Sequence, residues 1–393
     1  MVNDKNRDKL SFIDAEFNRR IEHQQLRQLR NVTPLNGIEI TINGRTMVNF
    51  CSNDYLGLSM HPLLQERSIE FIHKYGSGAT ASRLICGNYD FYEPVENKLS
   101  QLKQVEAVLV LSSGFQANIS VIPALADRHS LILSDQLNHN SLIMGARLAR
   151  CKVKVYRHND MAHLDQLISE NVTKDFSRIF IVTESVFSMD GDMADMNALV
   201  MLAEKFNAFL IVDDAHATGV FGHQGMGLTC GHDIDLVIGT FGKAGGSFGA
   251  YLACSKKLRT YMINCCSGLI YTTALPPSVI GAIDAALDLI PLMGPERKLL
   301  QENSEYLRQA FHKMGWQTGS SSSQIIPIMV GSEAEALALS RWLEENGILI
   351  SAIRPPTVPE GASRIRLSLS SLHTRKHIDR VIDVLQKWRS HKS

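Results

Sequence analysis

The sequence predicts an α/β protein: a large domain on a mostly parallel seven-stranded sheet, followed by a smaller C-terminal α+β domain. Three observations predict it. Between residues 107 and 254 short apolar runs alternate with amphipathic segments, the signature of parallel strands covered on both faces by helices. Beyond residue 276 the pattern turns helical and then returns to short strands and helices. A chain of 393 residues also exceeds what one small core organises, so a second domain is expected.

The elements follow in order. Residues 8–30 are polar with helical character and end in a basic stretch, Arg27 to Arg30. Gly37 to Ile42 alternates, Asn43-Gly44 makes a turn and Thr46 to Phe50 returns, which predicts a hairpin. Residues 1–50 are therefore expected to form an arm outside the main sheet, with 51–285 as the large domain and 286–393 as the small one. The seven strands expected in the sheet are Ala107–Leu111, Leu131–Ser134, Val153–Tyr156, Ile179–Thr183, Phe209–Asp213, Leu236–Thr240 and Gly249–Cys254. Met196, Leu199, Leu202, Ala203 and Phe206 repeat with a helical period before the fifth of these. Residues 276–315 are expected to be helical. A strand at Ile326–Val330, a helix near Ala334–Asn346 and strands at Ile348–Ile353 and Arg364–Leu369 complete the small domain.

Composition excludes several classes of function. Lysine plus arginine equals aspartate plus glutamate, 40 against 40, so neither nucleic acid nor an anionic membrane is expected as the main partner. No stretch approaches the roughly 18 apolar residues of a membrane helix, and the start, MVNDKNRDKLSFIDAEF, is too charged for a signal peptide. The seven cysteines show no zinc-ligand spacing and are odd in number. They read as reduced thiols of a cytoplasmic protein with no metal.

Active sites of open α/β sheets lie at the carboxyl ends of the strands, and several polar groups fall there. Ser113-Gly114-Phe115 follows the first strand and opens a helix. Its backbone N–H groups suit a phosphate, although a plain tight turn fits as well. Asp213-Asp214-Ala215-His216 ends a buried strand; a carboxylate there needs a partner, such as a protonated heterocyclic nitrogen, a helix N-terminus or a metal. Thr240-Phe241-Gly242-Lys243-Ala244-Gly245-Gly246 ends the next strand. Burial lowers a lysine's pKa and makes it a nucleophile able to form a Schiff base. The loop is not a P-loop, because the Gly-x-x-x-x-Gly-Lys-Ser/Thr pattern is absent. An aspartate for a ring nitrogen, a lysine thirty positions later and a phosphate turn upstream together match what pyridoxal phosphate requires. Thr240 is placed for the phosphate; His139, just past another strand, is open to stacking on the ring, although taken alone a plain loop histidine is the better reading. A nicotinamide-dependent oxidoreductase is the rival on the same sheet, but no Gly-x-Gly-x-x-Gly follows the first strand. A non-catalytic relative would have lost Lys243.

The motifs Ser52-Asn53-Asp54-Tyr55-Leu56-Gly57-Leu58, Ser113 to Asn118, Glu184 to Asp192, Asp213 to Gly219, Thr240 to Lys243, Ile270 to Thr273 with Pro276-Pro277, and Ile353 to Pro359 occur in order. On them the chain resembles the α-oxoamine synthases, a branch of the fold-type I pyridoxal-phosphate enzymes, from about Asn49 to His373. Within that family, Ala352 to Pro359 with Arg364 to Leu369 is most similar to the members that join L-alanine to a pimeloyl thioester in biotin synthesis. Relatives using glycine, or long acyl chains for amino-ketone signals, share the same machinery.

The resemblance implies roles. Lys243 would carry the cofactor and act as base, Asp213 would hold the ring nitrogen, and His216 and Ser188 would lie near the phenolic oxygen. His139 would stack on the ring and contact substrate. Gly114, Phe115 and Thr240 would hold the phosphate, with Thr273 reaching in from the second subunit of a homodimer whose active site lies at the interface. Arg354, near Asn53, would bind the amino acid's carboxylate, Thr357 would line the substrate site, and Arg27 would lie near the acyl chain. The acyl donor would be acyl-CoA or an acyl-carrier protein. One position departs from the family: Tyr92 stands where a histidine is usual, in a stretch expected near the substrate entrance.

Overall fold

A computed structural model describes residues 9–392. The charged stretch 1–8, which entered the expectations about a signal peptide and the first helix, lies outside the described residues, as does Ser393. The strands in chain order are β1 (Thr33–Pro34), β2 (Glu39–Ile42), β3 (Arg45–Asn49), β4 (Ala107–Leu111), β5 (Ser130–Asp135), β6 (Lys152–Tyr156), β7 (Arg178–Glu184), β8 (Phe209–Asp213), β9 (Leu236–Thr240), β10 (Ala250–Cys254), β11 (Ile325–Gly331), β12 (Ile348–Leu349), β13 (Ser351–Ile353) and β14 (Ser363–Ser368).

The seven expected strands form one sheet in the order β4-β10-β9-β8-β7-β5-β6. Only β10 runs against the rest, paired antiparallel with β4 and β9. The apolar runs are explained by burial on both faces. Along β8, Ile211 packs with the helices Gly114–Leu125 and Asn140–Leu148, while Leu210 and Val212 pack with Met161–Ser169 and Met196–Phe206. The middles of β4, β5, β7, β8 and β9 are apolar, and these strands all end at the same edge.

Two local expectations are corrected. The first helix covers Ser11–Glu22 rather than running to residue 30. It stops where Gln24 takes a positive φ of 53°, and residues 25–32 continue as irregular chain along the small domain. The single strand expected over Ile348–Ile353 is two strands: β12 pairs parallel with β3, and β13 pairs antiparallel with β14. Ile350, 1% exposed, marks the switch, so one apolar run serves two sheets. The N-terminal hairpin is thereby stitched to the C-terminal part through β3 and β12. Among the described residues no single helix is long and apolar enough to cross a membrane.

Candidate active site

The expected site residues come from separate strand ends. Asp213 is 7% exposed. Its Oδ2 accepts from Asn118 Nδ2 at 2.7 Å and its Oδ1 from the Ala215 N–H at 3.0 Å. It makes no ion pair among the described residues, so a buried carboxylate is left with capacity for one more donor. Asp214, beside it, points the other way and is spent: Lys103 Nζ lies at 3.3 Å, Ser185 Oγ at 2.6 Å and Thr229 Oγ1 at 2.8 Å. Of the two aspartates, Asp213 is thus the one free to meet a ligand.

Lys243 follows β9, and its amine makes no hydrogen bond among the described residues. Burial lowers its pKa to about 8; the charges of Asp213 and Glu184 oppose the fall and Arg366 adds to it. The same electrostatic neighbourhood links the histidines. His139 is lowered by burial, with Asp213 pulling up and Lys243 pushing down. His216 is lowered well below its usual range by burial and by Lys243, Arg366 and His139. Both imidazoles are therefore neutral near pH 7. His216 Nδ1 lies 2.6 Å from the Tyr55 hydroxyl, and its carbonyl accepts from Gln324 Nε2 at 2.9 Å.

The phosphate turn also assembles. Ser113 Oγ accepts the Gln116 N–H at 3.3 Å, leaving the N–H groups of Gly114 and Phe115 in the first turn without intrahelical acceptors. A methyl group added at Gly114 would stand 3.9 Å from Thr240 Cβ, so two of the expected phosphate holders are neighbours. Thr240 Oγ1 donates to the Gly249 carbonyl at 2.9 Å and accepts the Gly242 N–H at 3.1 Å. An unpaired buried carboxylate, an unpaired lysine and a helix N-terminus at one sheet edge fit pyridoxal phosphate in charge and donor type.

Arg366, given no role from the sequence, is part of this site. It is 6% exposed. Nε donates to the Ser188 carbonyl at 2.6 Å, Nη1 to Ser368 Oγ at 2.6 Å and Nη2 to Asn53 Oδ1 at 3.2 Å. Asn53 Oδ1 also accepts from the Tyr55 hydroxyl at 3.1 Å. Arg366 makes no ion pair among the described residues, so its charge awaits an anion. The alternation Arg364-Ile-Arg366-Leu-Ser368, which aims alternate residues of β14 to one side, was the available signal. The expectation that Arg354 sits with Asn53 is corrected: Asn53 contacts Arg366, while Arg354 donates to the Gln24 carbonyl.

Arg354 instead joins Arg27 and Thr357 on a cleft of about 770 Å³ between residues 25–32 and the small domain, floored by Leu349 and Ile350. Arg27 Nη2 lies 3.3 Å from Thr357 Oγ1. Burial and the nearby Arg27 charge lower the pKa of Arg354. Thr273 is exposed, bridged to Ser82.

Tyr92 is corrected as well. It is 1% exposed, its hydroxyl accepts the Leu275 N–H at 3.0 Å, and the Arg83 guanidinium lies 3.9 Å from its ring centre. Burial raises its pKa to about 12. It anchors the segment carrying Thr272 and Thr273 and is a packing residue, not one lining the entrance.

A family model described as aminotransferase class I and II matches residues 45–385. The chain belongs to that family. Among curated class I and II aminotransferase relatives, a Desulfosudis oleivorans protein provisionally named 8-amino-7-oxononanoate synthase is 59% identical, over 97% of this chain and 99% of its own. Two solved structures share the fold. A serine palmitoyltransferase variant from S. paucimobilis, solved with a bound pyridoxal phosphate–myriocin aldimine, is 26% identical with a TM-score of 0.91, covering 97% of this chain and 98% of its own. The 8-amino-7-oxononanoate synthase of Francisella tularensis is 27% identical with a TM-score of 0.77, covering 88% and 98%. The fold-type I architecture and the α-oxoamine synthase resemblance expected from the sequence are borne out.

Proposed function

We propose that this protein condenses L-alanine with a pimeloyl thioester, releasing carbon dioxide and the thiol carrier and forming 8-amino-7-oxononanoate. It is a pyridoxal-phosphate-dependent acyltransferase. The observation that carries the reading is the meeting at one sheet edge of Asp213 and Lys243, neither ion-paired, with Arg366 beside them. The name of the Desulfosudis relative supports the substrates.

Bound pyridoxal phosphate supplies an electron sink for the substrate's α-carbon. Each protein group then has a task. Asp213 would meet the protonated ring nitrogen, and Asn118 and the Ala215 N–H orient its carboxylate. Gly114, Phe115 and Thr240 hold the phosphate, with Thr273 of a second copy completing the cradle. His216, steadied by Tyr55, and Ser188 would lie near the phenolic oxygen, and His139 would stack on the ring. Arg366 with Asn53 binds the alanine carboxylate that later leaves as carbon dioxide. Lys243 would hold the cofactor at rest, and its amine, once free, would serve as the base that moves the proton at the substrate's α-carbon. Its lowered pKa suits that exchange.

Arg27, Arg354 and Thr357 receive the acyl substrate. Two neighbouring guanidiniums over an apolar floor suit a chain with an anionic end, as pimeloyl has. A second reading, serine with a long acyl thioester, is favoured by the higher TM-score and fuller coverage of the serine palmitoyltransferase structure. The protein is proposed to act as a cytoplasmic homodimer.

Product mass spectrometry decides between the readings. The holoenzyme is offered L-alanine, glycine and L-serine, each against acyl-CoAs of increasing length including pimeloyl-CoA. Dominant 8-amino-7-oxononanoate from alanine is the expected result. Preference for serine with a long chain would replace it with the second reading.

A further inference from the structure

The last residues of β7 and β8, Glu184 and Asp213, are register partners on adjacent parallel strands, so their carboxyl groups project to the same face of the sheet edge. Glu184 is 2% exposed. Its side chain makes one hydrogen bond among the described residues, accepting the His139 backbone N–H at 2.5 Å. His139 is held a second time through its ring, whose Nδ1 lies 2.7 Å from Ser141 Oγ. Ser141 Oγ accepts from Asn118 Nδ2 at 2.9 Å, and the same amide donates to Asp213 Oδ2 at 2.7 Å. The contacts close a circuit: Asp213, Asn118, Ser141, His139, Glu184 and back across the strand register to Asp213.

Charges along this edge are unevenly answered. Asp135 at the end of β5 is met by His158 at 2.9 Å. Asp213 and Glu184 both act on the Lys243 amine, and neither makes an ion pair among the described residues. Two ionised carboxylates on paired strand ends in a buried site repel. Burial and the charges of Asp213 and Asp135 push the Glu184 pKa well up, while Lys243 and the His139 N–H pull the other way.

We propose that Glu184 is a positioning residue for the reaction, setting His139 against the bound ring through its backbone and doing so as an uncharged acid. The inference rests on the cofactor reading above. In that arrangement Glu184 contributes geometry, and no charge, beside the carboxyl of Asp213. The amide of Gln at this position would offer the same acceptor to the His139 N–H without a charge.

The test compares Glu184→Gln with Glu184→Ala. In the apoprotein, the His139 imidazole resonance, assigned with a His139→Asn variant, should stay in place in Glu184→Gln and shift in Glu184→Ala. In the holoenzyme, the pH midpoint of the cofactor's visible absorbance should be unmoved in Glu184→Gln. Glu184→Ala should bind cofactor roughly tenfold more weakly, the value of about one hydrogen bond. A midpoint moved by about one pH unit or more in Glu184→Gln would show that a charge had been removed and would overturn the uncharged acid. An unmoved His139 resonance in Glu184→Ala would overturn the positioning role. Histidine resonances elsewhere, retained in both variants, show that the fold is intact. Failure to bind pyridoxal phosphate at all would sink the cofactor reading, and the apoprotein resonance would still decide the placement of His139.

Discussion

At Lys243, the proposed cofactor lysine, burial lowers the amine's pKa to about 8 and leaves more of it unprotonated near neutral pH. Lys243→Ala is expected to lose the lysine-bound visible absorbance of the cofactor and to cut turnover by at least roughly 10²–10⁴, the usual value of a positioned base; stopped assays with mass detection measure it. The two arginine sites should separate kinetically. Arg366→Ala removes a buried cation from the proposed carboxylate site and should raise the amino-acid KM by roughly 10²-fold or more while leaving the acyl KM nearly constant. Arg27→Ala should do the reverse. Equal effects of both variants on both KM values would contradict the division of the cleft. Most of these residues were legible in the sequence because their motifs place them at strand ends. Arg366 was not, since an arginine within an alternating strand looks like any solvent-facing partner until the fold buries it.

At the scale of elements, close approaches and buried clamps hold the strand ends in place. A methyl group at Gly239 in β9 would stand 2.1 Å from the ring of Tyr251 in β10. Tyr251 in turn meets Thr218 at 2.7 Å and Lys103 at 3.2 Å beneath the site. Gly239→Ala is therefore expected to destabilise by about 1–3 kcal/mol, as overpacking does, read by denaturant unfolding. His158 ties β5 to the loop after β7 through Asp135 at 2.9 Å and Asp192 at 2.6 Å. Burial disfavours its charge, but the two carboxylates prevail and raise its pKa to about 10. Because the folded pKa exceeds the unfolded value of about 6.5, this contribution is full below about pH 6.5 and is lost as pH rises toward 10. His158→Gln should flatten that part of the stability profile, measured by unfolding from pH 6 to 9.5. The sequence placed the strands to within a residue or so, yet it missed the division of Ile348–Ile353. A uniformly apolar run does not say which sheet each residue joins.

On the scale of the molecule, apolar groups are left uncovered near the cofactor edge: Ile85 is 80% exposed, Tyr271 84%, Phe248 53% and Phe115 49%. Thr273, two residues after Tyr271, is exposed as well. A second copy over this face would bury the patch and bring in the proposed Thr273 contact. Tyr271→Glu should shift the sedimenting species from dimer to monomer and weaken cofactor retention in the same preparation. A variant that becomes monomeric with undiminished cofactor binding would remove Thr273 from the cradle.

The sequence by itself determined the architecture and the cofactor, and it named the candidate residues for holding it. Strand periodicity records burial on two faces, and catalytic chemistry needs particular residue types just past particular strands. The tertiary structure decided what depends on contacts across hundreds of positions. It assigned Arg366 rather than Arg354 to Asn53, turned Tyr92 into a buried anchor for the Thr272–Thr273 segment, and split one apolar run between two sheets. It also set Glu184 beside Asp213. Those outcomes follow from register and burial, which place distant residues a few ångströms apart and which no local pattern encodes.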